Sequence, residues 1–224
     1  MHLRNFIFDL DCTLAGTLDL IVAGLNASLG RRLGREFTGA DVASFFGQCE
    51  VRIIEDQLQG RDWEACVAEY NRFCREHHAE YITVFDGLQP LVRALHEAGY
   101  GLGVVTGKGR GASTVDLELL DYARYIAVVV TGEDVVRHKP DPEGLLSAIG
   151  QLGGRPEETI YVGDSPGDLH ASRAAGTWFG AALWGSVHRE ELLAAGPDFV
   201  FERVADLARW ALLRANTRTG SSLR

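Results

Sequence analysis

Asp9 and Asp11 directly follow the apolar run Phe6-Ile7-Phe8, which reads as a buried strand. Side chains two apart on a strand share a face, so the two carboxylates converge at the strand's end. Ionised carboxylates are rarely buried without a partner, and the pair therefore calls for a nearby cation. A second cluster lies far along the chain, where Thr159-Ile160-Tyr161-Val162 runs into Gly163-Asp164-Ser165-Pro166-Gly167-Asp168. Asp9, Asp11, Asp164 and Asp168 at strand ends, offering oxygen ligands only, suit a hard divalent ion such as Mg2+. That ion typically uses one or two carboxylates together with water and substrate phosphate. The chemistry implied is metal-assisted phosphoryl transfer.

These residues need a scaffold, and the hydrophobic pattern supplies one. After Leu14, the positions Leu18, Ile21, Val22, Leu25, Leu29 and Leu33 follow helical spacing, with Thr17 as the N-cap. Helices are predicted over 41–46, 50–58 and 62–81, punctuated by Gly34, Gly47 and Gly60, with no strand between them. From Phe85 the pattern alternates. Helices over 88–98, 112–120, 142–152 and 169–175 interleave with apolar strands over 102–106, 126–130, 159–162 and 178–182. Near-continuous apolar strands alternating with helices imply a parallel sheet covered on both faces. The fold class is thus α/β, a doubly wound parallel sheet with an inserted all-helical domain. The expected boundaries are 1–14 and 83–214 for the α/β core, 15–82 for the helical cap, and a flexible tail over 215–224.

Composition narrows the function. The 224 residues are 46% hydrophobic, ample for a packed core, and the formal net charge of −9 argues against a nucleic-acid or anionic-membrane surface. The expected partner is a small phosphorylated metabolite, with the chain a monomer or weak homodimer. The opening Met1-His2-Leu3-Arg4 lacks the apolar stretch of a signal peptide, and Cys12, Cys49, Cys66 and Cys74 form no C-x-x-C pair. Both features fit a cytoplasmic protein with reduced thiols. Among 22 basic residues only Lys108 and Lys139 are lysine, which points to a need for a compact ammonium there rather than a planar fork.

In open α/β sheets ligands bind beyond the carboxyl ends of the strands. Here those ends carry Asp9 and Asp11, Thr106, and Asp164 with Asp168, while Pro140 biases Lys139 toward an extended conformation that reaches the same pocket. Asp9-x-Asp11-x-Thr13, Thr106-Gly107, Lys139-Pro140 and Gly163-Asp164-x-x-x-Asp168, in that order, resemble the haloacid dehalogenase superfamily, specifically its phosphatases with a helical cap after the first strand. The resemblance spans nearly the whole chain and is strongest to phosphoglycolate phosphatase. It implies that Asp9 is a nucleophile forming an aspartyl phosphate and that Asp11 is the acid and base. It also implies that Thr106, Gly107 and Lys139 hold the phosphoryl oxygens, and that Asp9, the Asp11 carbonyl, Asp164 and Asp168 serve the metal. In a dense negative field one carboxylate gains proton affinity, and the expectation is that a metal-bound Asp9 stays ionised while Asp11 keeps its proton.

The remaining motifs carry less. Gly107-Lys108-Gly109-Arg110-Gly111 fails the P-loop pattern, because no Ser or Thr follows Lys108, and Lys108 reads as a solvated loop residue. Asp168 can also cap the helix after it. Gly47, Gln48 and Arg52 resemble a substrate-specificity loop in which Arg52 clamps a small carboxylate; a solvated Arg52 is the other reading. His77 and His78 read as surface residues. The pattern departs from the family at Cys12, where Gly is usual, and at Ala15-Gly16-Thr17. A dehalogenase needs no acid at Asp11, and a phosphonate hydrolase needs a cap lysine that this chain lacks. A phosphosugar mutase and a non-catalytic phospho-ligand or partner-binding module stay open beside the phosphatase.

Overall fold

The computed structural model describes residues 2–45 and 48–219, without the side chains of Ala43 and 215–219. Six parallel strands form one sheet: β1 (Asn5–Phe8), β2 (Gly101–Val105), β3 (Val128–Val130), β4 (Thr159–Gly163), β5 (Trp178–Ala182) and β6 (Phe199–Phe201). Their order is β3-β2-β1-β4-β5-β6. Phe8 is in register with Val104 on one side and Val162 on the other. The residues just past β1, β2 and β4 therefore sit side by side. The strand order reverses between β1 and β4, the switch point where doubly wound sheets open a crevice. The expected doubly wound parallel sheet is the one observed.

The period of two along β1 builds both faces of the core. Phe6 and Phe8 point into a layer with Leu91, Leu95, Tyr100 and Leu207, whereas Ile7 points to the opposite layer with Leu145, Ala148, Tyr161 and Phe179. Phe6 meets Tyr100 edge to face at 4.9 Å, a favoured aromatic geometry. Helices α1 (Leu18–Leu25), α2 (Arg31–Leu33), α3 (Gly39–Ser44), α4 (Glu50–Gln57) and α5 (Trp63–Tyr81) precede the helices that cover these faces. The covering helices are α6 (Leu88–Glu97), α7 (Arg110–Leu119), α8 (Glu143–Gln151), α9 (Pro166–Ala175), α10 (Arg189–Ala194) and α11 (Val204–Thr219). α1 runs through a π-helical turn at Asn26–Gly30 into α2, so the predicted single helix over 18–33 is continuous but locally widened and underwound.

Helices α1 to α5 pack around their own apolar cluster, which includes Leu20, Leu25, Phe37, Ile54 and Tyr70. Tyr70 lies on Gly24, where an added Cβ would come within 2.8 Å of the ring. The same cluster includes Ala112 of α7, which seats these helices on the α/β core. The chain crosses between the two parts at Gly16 and Thr83, whose amides and carbonyls exchange hydrogen bonds of 2.9 Å in both directions.

β6, α10 and α11 complete the molecule beyond 182, and β6 is a three-residue edge strand too short to announce itself by alternation. The backbone is helical to Thr219; 220–224, the end of the expected tail, lie outside the described residues. Among the described residues no helix is long and apolar enough to cross a membrane.

Candidate active site

The end of β1 turns sharply. The Asp9 amide still donates to the Val162 carbonyl at 2.8 Å, as in the sheet, and the chain then coils so that the Leu14 amide returns to the Leu10 carbonyl at 2.9 Å. Cys12 adopts φ of 59°, a left-handed conformation that glycine takes more easily, which accounts for the usual Gly there. The loop is tied down from outside: Trp184 Nε1 donates to the Thr13 carbonyl at 2.9 Å and the Tyr122 hydroxyl to the Leu14 carbonyl at 3.2 Å. Thr13 Oγ1 donates to Asp164 Oδ1 at 3.1 Å, so the first motif orients the last.

Lys139 occupies the centre. Its ammonium contacts Asp9 Oδ1 at 2.9 Å, Asp168 Oδ1 at 2.6 Å and the Tyr161 hydroxyl at 3.2 Å, which engages all three of its protons. Burial alone would lower the Lys139 pKa, but Asp168 and Asp9 outweigh it and hold the ammonium well above the usual lysine value. Asp168 is fully buried. Its Oδ1 faces Lys139 and the Tyr161 hydroxyl, and its Oδ2 accepts from the Ser165 amide at 3.1 Å and hydroxyl at 2.6 Å. Ser165 Oγ in turn accepts from the Asp168 amide, closing a capping box on α9. Both carboxylate oxygens are thus committed, and Asp168 acts on Lys139 and the helix end rather than as a direct ligand.

Asp9, Asp164 and Asp168 place carboxylate oxygens within 4.8 Å of one another. Burial pushes the Asp9 carboxyl up to about 7, with Lys139 opposing and the neighbouring carboxylates adding to the rise. Burial, then Asp168 and Asp9, push Asp164 well above the usual carboxylate range. Carboxylates outnumber ammonium groups in the pocket, and protein donors reach Asp9 and Asp164 through Oδ1 alone among the described bonds. A hard divalent cation fits this donor set, which Asp9 and Asp164 would hold through their side chains. Asp9 is the deeply buried member of the Asp9 and Asp11 pair, and a divalent cation beside it would favour its carboxylate form at neutral pH.

Asp11 is held differently. Its Oδ1 accepts from the Thr17 hydroxyl at 2.5 Å and from Lys108 Nζ at 2.8 Å. Thr17, expected to cap α1, makes no side-chain cap bond and serves Asp11 instead. Lys108, expected to be solvated, is 4% exposed and also pairs with Asp116 Oδ2 at 2.7 Å. Asp116 Oδ1 lies 3.1 Å from Nε2 of His78, a buried residue rather than a surface one. The chain His78, Asp116, Lys108, Asp11 thus runs from α5 through α7 to the end of β1. Burial opposes charge on Lys108, but Asp11 and Asp116 hold it well above the usual lysine value.

Thr106 ends β2, with its amide bound to the Val130 carbonyl at 3.0 Å and its Oγ1 accepting from the Lys108 amide at 3.2 Å. Its hydroxyl proton remains for a ligand. Gly107 is pressed against Gly132, where an added Cβ would approach the Gly107 carbonyl oxygen to 2.2 Å. Asp9, Asp11, Thr106, Gly107, Lys139 and Asp164 line one cavity of about 240 Å3. Gln48 also lines it; Gly47 lies outside the described residues. Arg52 does not line it: its side chain is 68% exposed and sits 3.9 Å from Glu55, so the carboxylate-clamp reading is corrected to the solvated one. Sequence reasoning missed Glu50, Tyr161 and Asp116, which reach the site through packing; the scarcity of lysine was the available signal for Lys108.

Known proteins agree with this geometry. A family model described as haloacid dehalogenase-like hydrolase matches residues 6–182. The chain is similar to a protein named Pyrophosphatase PpaX from Anoxybacillus flavithermus, 32% identical over 207 residues that cover 92% of this chain and 96% of that protein. Among solved structures it is similar to a protein described as a haloacid dehalogenase-like hydrolase from Bacteroides fragilis. The TM-score is 0.75 at 27% identity, over 92% of this chain and 99% of that one. CbbY from Rhodobacter sphaeroides, solved in complex with phosphate, shares the fold with TM-score 0.77 at 21% identity, over 92% of this chain and 96% of that one. A catalytic-type carboxylate pair on β1, a lysine joining it to the β4 motif, and matches along most of its length together establish that this chain belongs to the haloacid dehalogenase-like hydrolase family.

Proposed function

We propose that the protein is a Mg2+-dependent phosphatase that hydrolyses a small phosphate monoester through an aspartyl phosphate on Asp9. The observation that carries this reading is Asp9 at the floor of the cavity, 2.9 Å from Lys139 and clustered with Asp164, with Asp11 on the same turn. Asp9 attacks phosphorus and the ester P–O bond breaks, with Asp11 donating a proton to the departing alcohol oxygen. Water then attacks the phosphoryl group, Asp11 takes the water's proton, and Asp9 leaves as a carboxylate with free phosphate. Lys108 and Thr17 fix Asp11 through Oδ1, which leaves Oδ2 for these transfers.

Phosphoryl transfer depends mainly on positioning and on charge stabilisation of the peripheral oxygens. The Thr106 hydroxyl and the Gly107 amide supply donors, Lys139 supplies positive charge beside Asp9, and Asp168 with Tyr161 keeps the lysine aimed there. Mg2+ held by Asp9 and Asp164 would supply positive charge to the phosphoryl oxygens. The resemblance favours phosphoglycolate as substrate, and relatives carry the name pyrophosphatase; the exposed Arg52 gives no support to a carboxylate clamp. The test is phosphate release from p-nitrophenyl phosphate with Mg2+, which Asp9→Asn should abolish. Release undiminished by that substitution would refute Asp9 as the nucleophile, and phosphate moved between sugar positions without net release would indicate a mutase.

A further inference from the structure

The cavity has two chemically different halves. Its floor is the phosphoryl site, rich in carboxylates and ammonium groups. Its opposite wall is built by α1, α4, α5 and the turn after α3, and is apolar through Ile21, Leu25, Phe45 and Ile53. Gln48 and Tyr70 also line it, and one carboxylate interrupts it. Glu50, at the first position of α4, is 6% exposed and lines the cavity. Its Oε2 accepts from the Gly109 amide at 2.7 Å, while its Oε1 is buried and has no hydrogen-bond partner. A buried acceptor left without a donor is costly and uncommon in native proteins. Burial pushes this carboxyl up to about 7, against the pull of Lys108 and nearby amides.

Among the described residues no cationic side chain of that wall is free to neutralise an anion. Lys108 is already shared between Asp11 and Asp116, and Lys139 between Asp9 and Asp168. Arg52 is outside the cavity, and His188 is on the opposite rim beside Glu191 at 3.5 Å. A carboxylate or second phosphate on the leaving group would therefore meet no counter-charge on that wall and would press further on a Glu50 carboxyl that burial already biases toward its neutral form. A hydroxyl or ammonium there would instead supply the missing donor.

We propose that Glu50 is the specificity residue and accepts a hydrogen bond from the leaving alcohol, so that the substrates are phosphate monoesters of small neutral or ammonium-bearing alcohols. Phosphorylated hydroxy acids and inorganic diphosphate are disfavoured. The proposal rests on the phosphatase reading, and departs from the substrate named for the 32%-identical relative.

A series of similar size and varied distal charge tests it: 2-aminoethyl phosphate, 2-hydroxyethyl phosphate and phosphoglycolate, with inorganic diphosphate beside them, each measured as kcat/KM with Mg2+. The first two should exceed phosphoglycolate and diphosphate by about tenfold or more, the scale of one hydrogen bond to a charged group. An ammonium advantage over hydroxyl identifies a cationic leaving group, and parity identifies a neutral one. Glu50→Gln should reduce the ratio of 2-aminoethyl phosphate to phosphoglycolate by about tenfold. Phosphoglycolate or diphosphate turned over as well as the neutral ester, or a ratio unmoved by Glu50→Gln, overturns the proposal. If that variant fails to fold, the wild-type series decides alone. Turnover of p-nitrophenyl phosphate with the order of the series reversed defeats this inference only; absence of turnover on every ester defeats the phosphatase reading and this inference with it.

Discussion

Lys108→Met removes one ammonium from between two carboxylates while keeping much of the side chain's volume. The Lys108 side chain is 2% exposed, and its Nζ lies 2.8 Å from Asp11 and 2.7 Å from Asp116. Removing one partner of a buried ion pair costs about 3–5 kcal/mol because the other charge is left uncompensated. At this chain length each kcal/mol moves the melting temperature by roughly 2–4 °C, so the variant should melt about 6–20 °C lower. Activity should fall as well, since Asp11 keeps Thr17 alone as a described donor to Oδ1. General acid–base catalysis contributes about 10²–10⁴-fold, and loosening Asp11 should forfeit on the order of tenfold in kcat on p-nitrophenyl phosphate. The double variant Lys108→Met with Asp116→Leu separates the two effects. Removing the Asp116 carboxylate should restore part of the stability, because no charge is stranded on α7, yet leave kcat low, because Asp11 is still unsupported. A single variant that melts within 2 °C of wild type and keeps kcat within about twofold would refute the role given to Lys108.

Other outcomes follow from the same geometry. In EDTA the protein should lose phosphatase activity, and Mg2+ at about a hundred times its Kd should stabilise it by about 2.7 kcal/mol, read as a rise in melting temperature; no rise would contradict the Asp9 and Asp164 cation site. Glu50 and Asp9 are both raised to about 7 in the folded state, so between about pH 4.5 and 7 the folded form holds protons that the unfolded form has released. Metal-free stability should therefore fall as pH rises through that window, by about 1.4 kcal/mol per unit per group at the steepest. Glu50→Gln should flatten this slope, and an unchanged slope would remove Glu50 from the account. Asp168 and Asp116 are held below the usual range, despite burial, by Lys139 and Lys108. Their contribution is complete above the unfolded carboxylate pKa and lost as pH falls through the folded values, visible as acid unfolding that Asp168→Asn moderates. Gly132→Ala would set a Cβ 2.2 Å from the Gly107 carbonyl oxygen and 2.8 Å from Cys49 Cβ. Overpacking there should cost about 1–3 kcal/mol and weaken phosphoryl binding, and wild-type kinetics would show that the Gly107 loop tolerates displacement.

The sequence alone determined the features that depend on short-range pattern. The apolar run ending at Phe8 and the run ending at Val162 are β1 and the body of β4, and a strand's period of two places Asp9 and Asp164 where such sheets open. Lys139 was legible because a lysine is rare in this chain and because Pro140 after it restricts its backbone. Long helices such as α5 were legible from their period, and the parallel sheet from the alternation of strands and helices. Tertiary structure decided everything that arises where two distant segments press together. Lys108 looks solvated until α5 packs on α7 and surrounds it with Asp11, Asp116 and, one contact away, His78. Thr17 looks like a cap until the turn after β1 folds back to it. Glu50 looks like an ordinary first-turn acid until Gly109 takes one of its oxygens and the cavity closes over the other. Local pattern sets which face a side chain occupies; the charges it meets there are set by segments tens of residues away, because only packing fixes which groups lose water together.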